Sequence, residues 1–155
     1  MLVREYKDED VPAIARLYYD TVRFVNARDY TPEQLHAWAP DIWPDSFWRA
    51  RFEKGRVIVA EENGEVVGFA EFHEDGHIDC FYVHYQYQGV GVGTRLMQRI
   101  EEEAHSQSIP RLHLEASITG RPFFERRGFN PIGEEVREYR GAVFRNTLME
   151  KRLEM

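Results

Sequence analysis

The sequence predicts an α/β protein of mixed class, in which a central mixed, mostly antiparallel sheet of about seven strands carries helices on both faces. Three observations support this prediction. Three apolar segments follow one another between residues 56 and 84, separated by turn sequences at Asn63-Gly64 and Asp75-Gly76, as in an antiparallel meander. An amphipathic helix pattern follows a glycine-rich loop, and the chain closes with two strand-like segments. The length of 155 residues fits one domain, residues 1–155.

The first part of the chain predicts one strand and two helices. Residues 2–6 form a short strand, and the acidic residues 8–10 favour the start of a helix. Apolar residues then recur at helical spacing, at Val11, Ile14, Ala15, Tyr18, Val22 and Val25. A second helix is predicted from Thr31, because Thr31 can cap it, Pro32 suits its first position and Gln34 completes a capping box.

In the remaining elements the apolar residues recur either every two residues, as in a strand, or about every 3.6 residues, as in a helix. These elements are a helix from about Asp45, strands at 56–61, 65–73 and 77–84, a helix from about Gly91 that ends before Pro110, a strand at 111–116, a helix at 119–127, and two strands divided near 140–141. The strands on either side of the glycine-loop helix should run parallel, because a crossover of that length contains a helix.

Composition and charge exclude several classes of function. The formal net charge is -7 and no basic run occurs, which argues against a nucleic-acid partner. The single cysteine, Cys80, excludes an intramolecular disulfide and a cysteine-based zinc site. Residues 1–10 carry charges where a signal peptide needs an apolar run, and no stretch approaches the ~20 apolar residues of a membrane span. A cytoplasmic location without a membrane partner is expected, and a homodimer is compatible with the sequence.

The loop at residues 88–93, Gln-Gly-Val-Gly-Val-Gly, lies between a predicted strand and a predicted helix. Free N–H groups and the dipole at a helix start attract anions, and glycines remove the Cβ atoms that would keep a diphosphate away. A P-loop is excluded because Thr94-Arg95 follows Gly93 in place of Lys-Ser/Thr. A dinucleotide fingerprint is excluded because Leu96 replaces its third glycine. Two alternatives remain, a Gln-x-x-Gly-x-Gly phosphate site and a tight turn without a ligand.

Two longer motifs resemble those of one enzyme family. Residues 83–97, Val-His-Tyr-Gln-Tyr-Gln-Gly-Val-Gly-Val-Gly-Thr-Arg-Leu-Met, are similar to motif A of the GCN5-related N-acetyltransferase (GNAT) superfamily. Residues 123–129, Phe-Phe-Glu-Arg-Arg-Gly-Phe, resemble the later helix-to-strand signature of the same superfamily. Residues 116–122 and Arg140-Gly141 further resemble a bacterial YafP-like subgroup. The order of predicted elements is similar to that of the superfamily along the whole chain.

The resemblance implies a site for acetyl-CoA as co-substrate, without a metal ion. It implies that the backbone amides of seven residues hold the diphosphate: Gln88, Gly89, Val90, Gly91, Val92, Gly93 and Thr94. The fourth and fifth strands would splay apart in a V around the pantetheine arm, to which Phe81, Tyr82 and Val83 would offer backbone groups. Ser117 would lie near the cofactor and either contact it or cap the following helix. Phe124 would pack on the cofactor arm.

Candidate catalytic residues lie on the second hairpin of the meander. If residues 74–76 form a three-residue loop, His73 faces His77 across the strands. Period-two alternation then places Glu71 opposite Asp79 on the same face. Two carboxylates so close repel each other, which makes one of them a better proton acceptor. The resemblance also places His77 and Asp79 where the superfamily carries its catalytic Glu or His. Asp79 is the first choice for the base, His77 the second and Glu71 the third.

The residues of this hairpin also fit roles other than catalysis. Histidines beside a turn, such as His73 and His77, are also typical of solvated strand ends. The combination of these two histidines with Asp79 has no recognised zinc spacing, so no metal site is predicted.

The sequence departs from the family pattern at the general acid. Many relatives carry Tyr where this chain has Phe124, which cannot donate a proton. Tyr82, Tyr85 and Tyr139 are the other hydroxyl candidates.

The leading hypothesis is an N-acetyltransferase that transfers acetyl from acetyl-CoA to a small-molecule amine by direct attack through a tetrahedral intermediate. One alternative is a non-catalytic acyl-CoA-binding sensor, which Phe124 favours. Another is an acetyltransferase that acts on a protein amine. The acceptor site is expected between residues 18 and 48 and around Tyr139, where four aromatic residues are candidates for its wall: Tyr30, Trp38, Trp43 and Trp48.

Overall fold

The computed structural model describes residues 1–154. The strands are β1 (Leu2–Glu5), β2 (Arg56–Glu62), β3 (Glu65–Phe72), β4 (Ile78–Val83), β5 (Arg111–Ala116), β6 (Asn130–Tyr139) and β7 (Ala142–Arg152). The helices are α1 (Val11–Phe24), α2 (Pro32–Trp38), α3 (Asp45–Phe52), α4 (Val92–Ser106) and α5 (Arg121–Arg126). These elements follow the predicted order, and the predicted fold class is confirmed.

The seven strands of the described residues form two antiparallel sheets, ordered β1-β2-β3-β4 and β5-β7-β6. The β2–β3 hairpin closes through Asn63 and Gly64, whose φ angles of 50° and 81° are both positive. A two-residue turn with two positive φ angles matches the right-handed twist of the strands it joins. The Asn-Gly pair therefore fixes the hairpin at the place predicted from the sequence.

Strands β4 and β5 run parallel but separate almost at once. Within residues 1–154, an isolated parallel bridge between His77 and His113 joins the two sheets. The predicted parallel direction is confirmed, but the pairing is limited to this point. Beyond the bridge, β4 pairs only with β3 and β5 only with β7. The two strands thus form a V whose vertex lies at the two histidines.

Alternating residues of the central strands fill two cores on opposite faces of the first sheet, because successive strand side chains point to opposite faces. Val57 and Val59 of β2 pack with α1 and α3, whereas Ile58 and Ala60 pack with α4. Helices therefore cover both faces, as predicted. None of the helices formed by residues 1–154 combines the length and the apolar character that a bilayer crossing requires.

Helix α2 begins as the sequence predicts. Thr31 Oγ1 accepts a hydrogen bond from the Gln34 N–H at 3.2 Å, and the Gln34 side chain accepts one from the Thr31 N–H at 2.9 Å. Leu35 of α2 then packs in a third core with Ala142 and Phe144 of β7. Helix α2 therefore links the N-terminal helices to the second sheet, on the side where the V opens.

Candidate active site

A cleft of about 820 Å³ occupies the opening between β4 and β5. Its walls are the start of α4, the facing sides of both strands, α5 and polar or aromatic residues near α1, α2 and β6. Tyr30, Trp38 and Tyr139 line it. Trp48 is instead a core residue, only 1% exposed, and Trp43 stacks on Phe47. Two of the four predicted wall aromatics therefore reach the cleft.

The N-terminus of α4 lies at the cleft without a side-chain cap. Gly91 occupies the N-cap position with φ 94°, and within residues 1–154 no side-chain hydrogen bond caps this end of the helix. The amides of the first turn of a helix have no partner within the helix, and the helix dipole places partial positive charge there. An uncapped, glycine-entered start of a 15-residue helix is therefore suited to bind an anion.

The predicted cradle residues lie mostly on the cleft. Gln88, Gly89, Gly91, Val92, Gly93 and Thr94 line it, whereas Val90 has a 65% exposed side chain outside the lining. The Gln88 side chain donates to the Val83 carbonyl at 2.7 Å, which ties the loop to the end of β4.

Gly93 has a packing role that the sequence did not indicate. A Cβ atom at Gly93 would lie 2.9 Å from the Phe123 ring, a distance that real Cβ contacts do not reach. The glycine at this position therefore allows α5 to pack against α4. The sequence also predicts that the missing Cβ atom of Gly93 lets a phosphate come close to the backbone amides. That second role stays a prediction.

The edge of β4 that faces the cleft has free backbone groups. The His84 N–H donates to the Val67 carbonyl at 2.8 Å. In an antiparallel ladder, residues that exchange hydrogen bonds with the partner alternate with residues that point away from it. Tyr82 therefore pairs with β3, while the N–H and C=O groups of Phe81 and Val83 point toward the cleft. The Val83 carbonyl already accepts hydrogen bonds from Thr21 and Gln88, which leaves Phe81 with the free pair.

Ser117 and Phe124 both line the cleft. The Ser117 hydroxyl accepts a hydrogen bond from the Gly120 N–H at 3.0 Å, so it stabilises the turn that leads into α5. The Phe124 ring is 8% exposed and packs against Phe81 with centroids 5.4 Å apart. Contact of either residue with the cofactor stays a prediction.

The three tyrosines considered as proton donors lie in different places. Tyr82 and Tyr139 line the cleft, whereas Tyr85 stacks on His84 with ring centroids 4.8 Å apart. Burial raises the pKa of Tyr82 well above its usual range, which makes its hydroxyl a weak acid. Tyr139 is 41% exposed, and the Arg140 guanidinium lies 5.2 Å from the centroid of its ring.

The predicted register of the β3–β4 hairpin is wrong beyond its turn. The His73 N–H donates to the His77 carbonyl at 2.9 Å, so these two residues face each other as expected. Phe72 then pairs with Ile78, but Glu71 pairs with Cys80. Asp79 is the extra residue of a β-bulge, which shifts the register by one. Glu71 and Asp79 are therefore not directly opposite each other.

Arg51 of α3 lies between the two carboxylates that were expected to repel each other. Its Nε atom is 2.7 Å from Glu71 Oε1, and its Nη2 atom is 2.8 Å from Asp79 Oδ2. His73 Nε2 lies 3.1 Å from the other Glu71 oxygen. The intervening positive charge removes the repulsion on which the expectation rested. No periodic pattern marks Arg51, and sequence reasoning missed it.

The three candidate bases occupy different environments. The Asp79 side chain is 38% exposed and lines the cleft, whereas the Glu71 side chain is 2% exposed behind Arg51. His77 lines a second cavity of about 690 Å³, and its Nε2 atom lies 2.9 Å from Glu115. The hydrogen bond to the Glu115 carboxylate raises the pKa of His77, against the opposing effect of burial.

Replacing Arg51 with methionine is expected to destabilise the fold by about 3 kcal/mol, because it leaves the buried Glu71 charge without its cation. Urea unfolding followed by circular dichroism measures the change. In the background of Glu71→Gln, Arg51→Met should cost much less. The control is Arg49→Met, which removes only surface ion pairs, those of Arg49 with Asp8 and Asp45. A loss below 1 kcal/mol for Arg51→Met would contradict this account of the network.

Two basic residues of α5 and its C-terminus also line the cleft. They are Arg126 and Arg127. The Nε atom of Arg127 is buried and has no hydrogen-bond partner within residues 1–154. The sequence signature at 123–129 did not indicate that these two arginines line the cleft. Only the fold brings α5 beside the start of α4.

Comparison with known families identifies the enzyme class. Residues 26–153 match the family model described as an acetyltransferase (GNAT) domain. The chain belongs to the GNAT acetyltransferase family. The match covers both strands of the V, the start of α4 and the Arg51 network together. It confirms the resemblance found in the two motifs and the predicted class of enzyme, an N-acetyltransferase.

Individual GNAT proteins show how far the similarity extends. The chain is 33% identical over 147 residues to the uncharacterized N-acetyltransferase YafP of Escherichia coli strain K12, covering 95% of this chain and 93% of YafP. It is 30% identical over 138 residues to the L-amino acid N-acyltransferase MnaT of the same organism, covering 76% of this chain and 78% of MnaT. The predicted similarity to the YafP-like subgroup is thus confirmed.

A solved GNAT structure shares the whole fold. It is a crystal structure from Rhodopseudomonas palustris described as the GCN5-related N-acetyltransferase: aminotransferase, class-II. The TM-score is 0.92 at 32% identity, with 98% of this chain and 95% of that chain covered. The split arrangement of β4 and β5 therefore occurs in a chain that superimposes on a GNAT structure over nearly its full length.

Proposed function

We propose that this GNAT protein transfers the acetyl group of acetyl-CoA to the amine of a small molecule. One observation carries the proposal: the uncapped N-terminus of α4 and the carboxylate of Asp79 line the same cleft. The first is suited to a diphosphate and the second to the proton that an attacking amine must lose.

The donor substrate would lie between the start of α4 and the open edge of β4. The free amides after Gly91 would hold the diphosphate, as described above for the uncapped helix. Arg126 and Arg127 line the same end of the cleft as cations for phosphate groups. The N–H and C=O groups of Phe81, which point away from β3, would pair with the amides of the pantetheine arm.

Asp79 would act as the base. An alkyl ammonium has a pKa of ~10.4, so the amine must lose a proton before it attacks. Of the three candidate bases, Asp79 lines the cleft, whereas His77 and Glu71 do not. The Nη2 atom of Arg51 lies 2.8 Å from Asp79 Oδ2 and would orient this carboxylate. Glu71, held by Arg51 and His73, would position this network without touching substrate.

The reaction does not require the tyrosine that Phe124 replaces. The amine nitrogen forms a bond to the acetyl carbon, and the bond from that carbon to sulfur breaks. A thiol has a pKa of ~8.5, well below that of an alkyl amine, so the thiolate leaves the tetrahedral intermediate readily. The proton taken up by Asp79 can return to the thiolate through solvent. Phe124 therefore removes the usual proton donor of the family, but it does not prevent the reaction.

The cleft favours a small acceptor over a protein. Much of its volume of about 820 Å³ is needed for the donor, and the remainder is lined by Tyr18, Trp38 and Tyr139. Arg51 and Asp79 add one charge of each sign to this apolar wall. The relative MnaT, named as an acyltransferase for L-amino acids, supports an acceptor of this size.

The test is release of the CoA thiol from acetyl-CoA with a panel of amino acids, other small amines and lysine-containing peptides. Turnover with a free amino acid or small amine supports the proposal. Turnover restricted to peptides would favour a protein amine as the acceptor. Binding of acetyl-CoA in calorimetry without turnover of any acceptor would favour an acyl-CoA sensor instead.

A further inference from the structure

The vertex of the V brings together two histidines and a carboxylate from distant parts of the chain. His77 precedes β4, and His113 and Glu115 lie two residues apart on β5. The His77 and His113 rings stack with centroids 5.1 Å apart. His77 Nε2 lies 2.9 Å and 3.0 Å from the two Glu115 oxygens. One ligand atom from each of the three residues lies within 4.8 Å of the other two.

These three side chains are the ligand types that divalent transition metals prefer. Imidazole nitrogen and carboxylate oxygen bind Zn²⁺ at roughly 2.0–2.2 Å, so a nitrogen and an oxygen on one tetrahedral ion are about 3.3 Å apart. The His77–Glu115 separation of 2.9 Å is a few tenths of an ångström shorter than about 3.3 Å. A metal ion can replace the shared proton with a small movement. We propose that His77, His113 and Glu115 form a binding site for a divalent transition metal ion such as Zn²⁺.

The backbone holds this site in place. The His113 N–H donates to the Gly76 carbonyl at 3.0 Å, which joins the β3–β4 turn to β5. A Cβ atom at Gly76 would lie only 1.9 Å from the Arg111 carbonyl oxygen, so glycine allows this close approach. Asp75 accepts the His77 N–H at 3.0 Å, and its Oδ2 atom lies 3.9 Å from His113 Nε2. At 3.9 Å the Asp75 carboxylate makes no hydrogen bond to His113, but its negative charge favours a cation at the vertex.

A neighbouring group of potential ligands is already neutralised. Glu71, His73 and Asp79 also bring ligand atoms within 4.8 Å of one another. Arg51 lies between the two carboxylates at 2.7 Å and 2.8 Å. A metal ion there would have to displace a guanidinium from a buried carboxylate. Glu115 has no arginine or lysine ion pair within residues 1–154, although Arg137 is near enough to act on it electrostatically. The site borders the second cavity through His77.

The site would act on the vertex, and its ligand Glu115 also lines the cleft. A bound ion would connect the strand before the cleft to the strand after it, at the one bridge that joins the two sheets within residues 1–154. Ligands from both sheets would then be held by one ion, which raises the free energy of unfolding by mass action. Metal binding at the vertex does not depend on which acceptor the enzyme uses.

Metal binding is tested on tag-free protein by calorimetry with Zn²⁺ and by the visible absorption of bound Co²⁺. One ion per chain is expected, with an increase in Tm and with Co²⁺ bands of a site with nitrogen and oxygen ligands. His113→Ala and Glu115→Gln should each weaken binding by about 100-fold or more, since loss of even an outer partner costs 10–100-fold. Circular dichroism verifies that both variants fold.

Two histidine variants provide matched controls. His105→Ala removes an exposed histidine at the end of α4, and His73→Ala removes the histidine of the neighbouring group. Both should leave Zn²⁺ affinity within about twofold of the wild type. Wild-type affinity in His113→Ala or Glu115→Gln, or a loss of affinity in His73→Ala equal to that in His113→Ala, would overturn the assignment. Absence of saturable binding to the wild-type chain would overturn it as well.

Discussion

Replacing Gly91 with glutamate is expected to abolish acetyl-CoA binding, with a loss of affinity of at least about 100-fold. The new carboxylate would lie beside the free amides of α4, where it occupies the positive end of the helix and repels a diphosphate. Two like charges about 4 Å apart repel by about 4 kcal/mol near a protein surface. This exceeds the ~2.7 kcal/mol that corresponds to 100-fold. Titration calorimetry with acetyl-CoA measures the loss.

Gly64→Glu is the matched control for this variant. Gly64 has φ 81° and Gly91 has φ 94°, and a Cβ atom at either position meets nothing within 4 Å. Both substitutions therefore add the same charge and the same left-handed strain of about 1–2 kcal/mol. Gly64 lies in the β2–β3 turn, outside the cleft lining. Wild-type affinity is expected in Gly64→Glu, and equal affinities in the two variants would contradict the cradle assignment.

Replacing Asp79 with asparagine is expected to lower kcat by about 100-fold or more, within the 10²–10⁴-fold range of general-base catalysis. The KM for acetyl-CoA should stay close to that of the wild type, since the proposed mechanism places Asp79 at the acceptor amine and not at the donor. An asparagine oxygen can still accept the Arg51 hydrogen bond of 2.8 Å, so the fold should be retained. Initial rates of CoA release across pH measure both effects.

Two further variants separate Asp79 from its neighbours. Glu74→Gln removes an exposed carboxylate from the turn of the same hairpin and should leave kcat unchanged. His77→Gln tests the second candidate base, which lines the other cavity. If Asp79→Asn keeps the wild-type pH–rate profile while His77→Gln loses activity, the base is His77 and the proposed mechanism is wrong.

Local patterns were sufficient to predict the elements and the place of the glycine loop between β4 and α4. Asn63-Gly64 requires a particular turn, and Thr31 with Gln34 requires a helix start, because in both cases a few adjacent residues satisfy the backbone. The glycine loop at 88–93 is likewise determined by a few adjacent residues. Its position between strand and helix follows from the residues on either side of it.

The arrangement of the candidate catalytic residues could not be predicted in the same way. Period-two alternation assumes an unbroken ladder, and the bulge at Asp79 has no signature in the sequence around it. Arg51 reaches Glu71 from a helix 20 positions earlier in the chain. His113 meets His77 only because two sheets touch at one bridge. Each of these contacts depends on tertiary packing and not on local propensity.

Amide chemical-shift changes in the ¹⁵N-labelled protein on addition of acetyl-CoA test the central claim most directly. The claim is that the uncapped start of α4 binds the diphosphate and that the open edge of β4 binds the pantetheine arm. The largest shifts are expected at Gly91, Gly93 and Thr94, with a further shift at the Phe81 amide. Saturable binding with shifts confined to residues outside the cleft, and unchanged amides from 89 to 94, would contradict it.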